Sequence, residues 1–175
     1  MYILGLTGSI GMGKTTAASM FRRYGVPVYD ADAAVHQLMK SDSMVIKQVK
    51  KVFPNVVENE NIDRNALGSI VYKNRKALAA LELILHPLVR AMQIEFLRQR
   101  GKARENLVVL DIPLLFENKI DKFCDTVAVV SAPPYLQKIR VLSRPYMTPE
   151  RFEKIKTILN KRQPDLTVVL DNVHK

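Results

Sequence analysis

Close to its start the chain reads Gly8-Ser9-Ile10-Gly11-Met12-Gly13-Lys14-Thr15, a string that matches the pattern G-x-x-x-x-G-K-[ST] at every fixed position. An apolar run from Tyr2 to Thr7 precedes it and predicts a buried β-strand, and the residues from about Gly13 to Arg23 predict a helix. This motif requires a strand before it and a helix after it. We therefore predict a phosphate-binding loop, or P-loop, at residues 8–15.

Each residue type in the loop suits a nucleotide. Glycines let the backbone approach an anion closely, and the successive N–H groups of residues 11–13 at the helix start form a positively polarised nest. We expect Lys14 to neutralise charge on the β- and γ-phosphates, the Thr15 hydroxyl to bind Mg²⁺ and Thr16 to contact the α-phosphate. The expected ligands are ATP and Mg²⁺.

The rest of the chain alternates between strand and helix patterns. Short apolar runs predict further strands at Val26–Tyr29, Leu107–Leu110, Val127–Val130 and Thr167–Leu170. Helices are predicted between most of them, with Asp63 and Thr148 as N-caps. The His86-Pro87 step inside a long helical pattern predicts a bend or a junction between two helices, because an internal proline removes a hydrogen bond. This alternation predicts an α/β fold with a doubly wound parallel sheet.

The amino-acid composition narrows the range of ligands that the protein is expected to bind. The net charge of +10, from 27 Lys and Arg against 17 Asp and Glu, suits a ligand that carries phosphates. The basic residues form no dense tract, which favours a small polyphosphate over a nucleic acid. The single cysteine, Cys124, excludes an internal disulfide and is expected to be a small buried residue in a reducing compartment. No leader pattern and no apolar run of roughly 18 residues is visible, so we expect a cytoplasmic protein without a membrane span.

Two carboxylates, Asp30 and Asp32, follow the second predicted strand. A kinase needs a carboxylate that accepts or orients the proton of the acceptor hydroxyl. An Asp at this position also commonly caps the next helix, and the two roles can coexist. We assign the cap to Asp30 and the base to Asp32.

Four motifs together resemble the dephospho-coenzyme A kinase family in order and spacing. They are Leu6 to Thr15, Tyr29-Asp30-Ala31-Asp32, Leu85-His86-Pro87-Leu88-Val89 and Leu110-Asp111-Ile112-Pro113-Leu114-Leu115-Phe116-Glu117. The resemblance implies transfer of the ATP γ-phosphate to the ribose 3′-hydroxyl of dephospho-coenzyme A. It also implies a three-layer P-loop kinase fold in one domain, residues 1–175, with a helical acceptor-binding insertion at about 33–100 and a lid at about 140–163.

The resemblance further implies roles for individual residues. Asp32 becomes the base, Asp111 holds Mg²⁺ through water, and Asn172 lies on the adenine side. The residues expected to bind the acceptor are Asp32, His86, Pro87, Pro113 and Leu114. Arg140 and Arg144, spaced one helical turn apart, look like the lid arginines of the family, whose forked guanidinium groups suit the oxygens of a transferring phosphoryl group. Beyond Ile155 the sequence departs from the family pattern, with Leu159 at the position where the family carries glutamine.

Simpler interpretations stay open for several of these residues. His86 fits a helix-junction residue, Pro113 fits a turn-shaping proline, and the two arginines fit an exposed charge pair. Asn118-Lys119-Ile120-Asp121 spells the guanine-reading string of GTPases, but no Asp-x-x-Gly switch stands well upstream of it. Another nucleotide-type small-molecule kinase and a nucleotide-binding protein without transferase activity remain as alternatives.

Overall fold

The computed structural model of the protein describes residues 1–145, 147–153 and 166–169. The described chain divides into two compact units. The first consists of Met1–Asp30 and the described residues from Gln99 onward, and the second consists of Ala31–Arg98.

The structure gives the bounds of seven strands and six α-helices, and residues 149–153 are helical as well. The strands are β1 Tyr2–Gly8, β2 Val28–Asp30, β3 Val57–Glu58, β4 Asn61–Ile62, β5 Leu107–Asp111, β6 Thr126–Ser131 and β7 Leu166–Val169. The helices are α1 Lys14–Arg23, α2 Ala31–Ser41, α3 Ser43–Val52, α4 Arg64–Lys73, α5 Arg75–Lys102 and α6 Pro134–Leu142.

A five-stranded sheet with the order β2-β5-β1-β6-β7 forms the centre of the first unit. All of its strand pairs are parallel, which confirms the predicted sheet. The apolar runs of β1, β5 and β6 are continuous rather than alternating because such strands bury both faces. Leu6, Val109 and Val130 are at most 1% exposed and pack with Ala17 and Ala18 of α1. This packing fixes the start of α1 at the carboxyl ends of the strands.

The second unit is helical around its own core. Val45, Val49, Phe53, Leu67 and Leu81 belong to one buried cluster that joins α3, α4 and α5. Asp63 caps α4 as predicted, because its Oδ1 accepts the backbone N–H groups of Asn65 and Ala66.

A small antiparallel hairpin, β3 with β4, lies between helices α3 and α4. Asn59 and Glu60 between its strands both adopt left-handed backbone, with φ of 46° and 60°. A two-residue hairpin turn of type I′ needs positive φ at both positions. Strands of two residues are too short to leave a recognisable sequence pattern.

α5 runs without interruption through Pro87 from Arg75 to Lys102, so the His86-Pro87 step is not a junction between two helices, and the bend expected there as the alternative stays a prediction. Pro87 has no N–H to donate to the carbonyl of Leu83, four residues earlier. Leu83 is 78% exposed, so water reaches this turn of the helix. One lost hydrogen bond is tolerated in a helix of 28 residues.

α5 also has the length and the mean hydropathy, 1.4 over its most apolar window, of a membrane span. A core helix of a soluble protein passes the same test, and Ala77, Leu81 and Leu85 of α5 are buried in the core of the second unit. This is weak evidence for a span, and the expected absence of one stays a prediction.

Candidate active site

The predicted P-loop joins β1 to α1 in the first unit. Gly11 and Gly13 have φ of 76° and 97°, a left-handed conformation that side chains disfavour. Gly13 stands at the N-cap of α1, and no side chain among the described residues caps this helix. The first amides of α1 are therefore available to an anion, as expected for a phosphate site.

Lys14 and Asp111 form an ion pair beside the loop. Lys14 opens α1, Asp111 ends β5, and Lys14 Nζ lies 2.6 Å from Asp111 Oδ1. The register of β1 and β5 sets Leu6 opposite Asp111, which holds the carboxylate next to the strand that leads into the loop. Asp111 is 3% exposed, so little water screens the pair.

The predicted metal ligands are the Thr15 hydroxyl and the Asp111 carboxylate. Thr15 is exposed in the first turn of α1, and its neighbour Thr16 is exposed as well. Within the described ranges no cluster of three or more His, Cys, Asp or Glu could hold a metal by itself. Mg²⁺ is usually bound by one or two protein oxygens together with phosphates and water, so a hydroxyl and a carboxylate at a phosphate loop fit this ion.

α6 is fastened to the P-loop by side chains that reach backbone carbonyls. Gln137, only 2% exposed, donates from Nε2 to the carbonyl of Ile10 at 2.9 Å. Arg140 Nη1 lies 3.4 Å from the carbonyl oxygen of Gly11. A Cβ added at Gly11 would lie 2.5 Å from Cγ2 of Val141, so loop and helix are in direct contact. The thioether sulfur of Met12 accepts the backbone N–H of Ala132 at 3.1 Å.

Sequence reasoning missed Gln137. Its position one helical turn before Arg140 on a predicted helix was the available signal, because residues three apart share a face. Nothing in the local sequence distinguishes this buried glutamine from an exposed one.

The two predicted lid arginines differ in their surroundings. Arg140 is half-buried, and its Nη2 is buried without a hydrogen-bond partner among the described residues. A buried guanidinium nitrogen without an acceptor is costly, and a phosphate oxygen would satisfy it. Arg144 is exposed and follows the end of α6 at Leu142.

The acceptor-side residues are divided between the units. Asp30 ends β2 in the first unit, with Oδ2 3.4 Å from Arg22 Nη2. Asp32 is exposed in the first turn of α2, and His86 and Pro87 are exposed in the middle of α5, all three in the second unit. The described structure thus brings Lys14, Asp111 and Arg140 to the loop.

Pro113 and Leu114 follow β5. The carbonyl of Pro113 accepts the Thr7 hydroxyl at 2.9 Å, and Pro113 lines a cleft of about 190 Å³ with Thr7, Ser9, Glu117 and Ser131. Leu114 is 38% exposed.

Some predicted residues fall outside the described ones. Asn172 is one of them, as are Leu159 and residues 154–163 of the predicted lid. Thr148 does lie within the described residues, where its Oγ1 accepts the N–H of Arg151 at 3.3 Å as a helix cap should.

Three features define the class of P-loop kinases. A glycine-rich loop precedes a helix, the lysine of this loop pairs with a carboxylate at the end of a strand, and the parallel sheet has the strand order β2-β5-β1-β6-β7. Comparisons with known proteins identify the family within this class. The family model described as dephospho-CoA kinase matches residues 2–173. The chain is 54% identical to dephospho-CoA kinase of Paramagnetospirillum magneticum over 165 residues, which cover 94% of this chain and 76% of the relative.

Two solved structures agree in fold. TT1252 from Thermus thermophilus has a TM-score of 0.83 and 29% identity, with 98% of this chain and 90% of that chain covered. Dephospho-CoA kinase from Campylobacter jejuni has a TM-score of 0.68 and 24% identity, with 98% and 89% covered. The chain belongs to the dephospho-CoA kinase family. It is accordingly a nucleotide-using kinase, and the GTPase-like string at residues 118–121 has no such meaning here.

Proposed function

We propose that the protein transfers the γ-phosphoryl group of ATP to the ribose 3′-hydroxyl of dephospho-coenzyme A, which gives coenzyme A and ADP. The observation that carries the proposal is the partly buried Lys14–Asp111 pair at the P-loop of a chain that belongs to this family. In the reaction a bond forms between the γ-phosphorus and the 3′-oxygen. The bond from the γ-phosphorus to the β,γ-bridging oxygen breaks, and ADP leaves.

Lys14 and Arg140 stabilise the charge on the phosphates. The lysine ammonium stands at the start of α1, where it reaches the β- and γ-phosphates together with the loop amides. The buried Nη2 of Arg140 gains a phosphate oxygen as its acceptor, and Arg144 adds a second guanidinium group. Groups fixed in place before the reaction stabilise transition-state charge without reorganisation.

Thr15 and Asp111 would hold Mg²⁺, Asp111 through water, and the ion would neutralise charge on the β- and γ-phosphates. The remaining contacts to the nucleotide come from Gly11, Met12, Gly13 and Thr16 of the loop and from Asn172 on the adenine side.

Asp32 receives or orients the proton of the acceptor hydroxyl. Its exposed position in the first turn of α2 leaves the carboxylate accessible to a substrate. His86, Pro87, Pro113 and Leu114 complete the acceptor contacts. The substrate is a small molecule, and we place the reaction in the cytoplasm without nucleic acid or membrane as a partner.

The experiment is a coupled ADP assay of the purified protein with a panel of acceptors: dephospho-coenzyme A, adenosine, adenosine 5′-monophosphate and guanosine 5′-monophosphate. We expect dephospho-coenzyme A to give the highest kcat/KM. A higher kcat/KM for another acceptor would assign the chain to a different small-molecule kinase activity. A single-turnover reaction with γ-labelled ATP that leaves no label on any acceptor would reject transferase activity.

A further inference from the structure

A groove of about 610 Å³ opens on the second unit beside α4. Its lining combines apolar side chains with a polar edge: Met39, Ile62, Asp63, Arg64, Asn65, Leu67, Gly68, Val71 and Leu81. The volume lies within the range of about 300–1,000 Å³ that is usual for small-molecule sites. An apolar floor with a few polar groups at one edge suits a ligand that is largely neutral and carries charge at one end.

The polar edge of the groove includes Arg64, which contacts His36 of α2 outside the groove lining. Arg64 Nη1 contacts Nδ1 of His36, and both side chains are exposed. Neither forms an ion pair with a carboxylate within the part of the chain that the structure describes. A guanidinium group beside an imidazole, with no carboxylate in an ion pair with either group among the described residues, favours an anionic ligand.

The N-terminus of α4 does not account for the preference for an anionic ligand. Asp63, the one carboxylate in the groove lining, already accepts the first free N–H groups of α4, those of Asn65 and Ala66. These two amides are therefore occupied. The Arg64 side chain is exposed and supplies further hydrogen-bond donors beside them.

α2 connects this pair to the proposed base. Asp32, His36 and Met39 stand at positions i, i+4 and i+7 of the helix, so they follow one stripe of its surface. Asp32 and His36 are one turn apart, a rise of about 5.4–6 Å. Met39 lines the groove. The stripe thus leads from a carboxylate to a basic pair and then to an apolar groove.

Dephospho-coenzyme A presents its groups in the same order. Its ribose 3′-hydroxyl is separated by a few bonds from the 5′-pyrophosphate, which in turn carries a long, neutral pantetheine arm. We propose, resting on the proposed function, that Arg64 and His36 bind the 5′-pyrophosphate and that the groove beside α4 binds the pantetheine arm, while Asp32 faces the 3′-hydroxyl. The site therefore selects acceptors that have both a pyrophosphate and a long neutral arm.

The pyrophosphate contact is tested with Arg64→Gln against Arg75→Gln. Arg75 is a matched control because it is also an exposed first residue of a helix, following the capping residue Asn74, and does not line the groove. We expect Arg64→Gln to raise KM for dephospho-coenzyme A at least about tenfold, as for loss of a hydrogen bond to a charged group. KM for ATP stays unchanged, and kcat falls far less than KM rises. Equal acceptor KM values for the two variants would overturn the assignment.

The arm contact is tested with Gly68→Leu against Gly101→Leu. A Cβ at either glycine would meet nothing within 4 Å, and only Gly68 lines the groove. Leucine is a better helix former than glycine, so neither variant should lose thermal stability. We expect Gly68→Leu alone to raise the acceptor KM by about tenfold, equivalent to about two lost methylene contacts. An unchanged acceptor KM in Gly68→Leu would show that the arm binds elsewhere.

The proposal and the proposed function fail in different ways. Absence of transfer by the unmodified protein would reject the function. Calorimetric titration of dephospho-coenzyme A into the unmodified protein, Arg64→Gln and Arg64→Lys still tests the site without turnover. We expect the unmodified protein to bind dephospho-coenzyme A most tightly, Arg64→Lys less tightly and Arg64→Gln least. A lysine keeps the positive charge but lacks the forked guanidinium group. Equal affinities would reject the site.

Discussion

Lys14 is held by a carboxylate that is almost completely buried. The ammonium and the Asp111 carboxylate are 2.6 Å apart, and their side chains are 15% and 4% exposed. Screening is weak at such a position, so each charge stabilises the other more than in a surface pair. Removing one partner leaves the other charge in a site that disfavours it. Lys14 therefore contributes to stability as well as to the reaction.

Lys14→Ala should reduce kcat by about 100-fold or more, the usual loss when one fixed electrostatic contact to the transition state is removed. The melting temperature should also fall, because Asp111 keeps its charge without this cation. The measurements are steady-state turnover and thermal denaturation. The double variant Lys14→Ala/Asp111→Asn should regain part of the melting temperature without regaining turnover. Turnover close to that of the unmodified protein in Lys14→Ala would contradict the assigned role.

Asp32→Asn should lower kcat with little change in ATP affinity, because asparagine keeps the shape of the side chain but cannot accept a proton. General-base help is worth about 10²- to 10⁴-fold. Loose phosphoryl transfer places the expected loss at the lower end of this range. Turnover with dephospho-coenzyme A and calorimetry with ATP provide the two measurements.

Asp30→Asn is the matched control for Asp32→Asn. It removes the half-buried partner of Arg22, and an ion pair this accessible to water is worth at most about 1 kcal/mol of stability. We expect a smaller effect on kcat than in Asp32→Asn. A larger loss in Asp30→Asn would reverse the division of roles between the two carboxylates.

The Cys124 thiol should react slowly with iodoacetamide. Burial raises its pKa from 9.0 to about 11, and the Asp121 and Asp125 carboxylates add to the shift. The reactive thiolate is therefore about 100-fold scarcer at neutral pH than in a cysteine of ordinary pKa. The alkylation rate of the folded protein should keep rising up to about pH 11. A rate that levels off near pH 9, the value for the unfolded chain, would contradict this environment.

At the scale of elements, α6 and the P-loop act as one packed piece. Gln137 and Arg140 reach the carbonyls of Ile10 and Gly11, and Val141 fills the space beside the Gly11 α-carbon. Any shift of α6 therefore displaces the backbone that surrounds the phosphates. Contacts of this kind keep a phosphate nest in a fixed geometry.

Gly11→Ala should damage nucleotide binding, whereas Gly25→Ala should not. Both glycines have φ of 76°, so both variants pay the left-handed backbone cost of about 1–2 kcal/mol. Only the Gly11 variant also places a Cβ 2.5 Å from Val141, since nothing lies within 4 Å of the corresponding position at Gly25. Denaturant unfolding and the KM for ATP separate the two effects. Equal KM values for ATP would contradict the packed contact between α6 and the loop.

Sequence patterns predicted the elements better than the contacts between them. The strands of the sheet, the cap at Asp63 and the loop glycines follow from local spacing and from the chemistry of each residue. The Lys14–Asp111 ion pair and the hydrogen bond from Gln137 to Ile10 do not follow from local patterns, because they join residues that are 97 and 127 positions apart. The continuous path of α5 through Pro87, beside the exposed Leu83, does not follow from local sequence either, because a proline inside a helical pattern usually kinks or breaks the helix.

At the scale of the whole molecule, strand order explains why the loop lies where it does. β1 is flanked by β5 and β6 in the parallel sheet, so the P-loop, Asp111 and Ser131 lie at the carboxyl ends of three adjacent strands. Ligands of open α/β sheets bind at this edge. Sequence alone predicted parallel strands but not their order, because the order depends on pairings between distant segments. The excess of positive charge, +10, matches a reaction between two polyphosphate substrates.

The most direct measurement is the identity of the product. The purified protein is incubated with Mg²⁺, ATP and dephospho-coenzyme A, and the product is analysed by phosphorus NMR and mass spectrometry against authentic coenzyme A. The account predicts one new phosphate ester, on the ribose 3′-oxygen, formed in equal amount with ADP. ADP formed without this ester, or a phosphate on another oxygen, would contradict it.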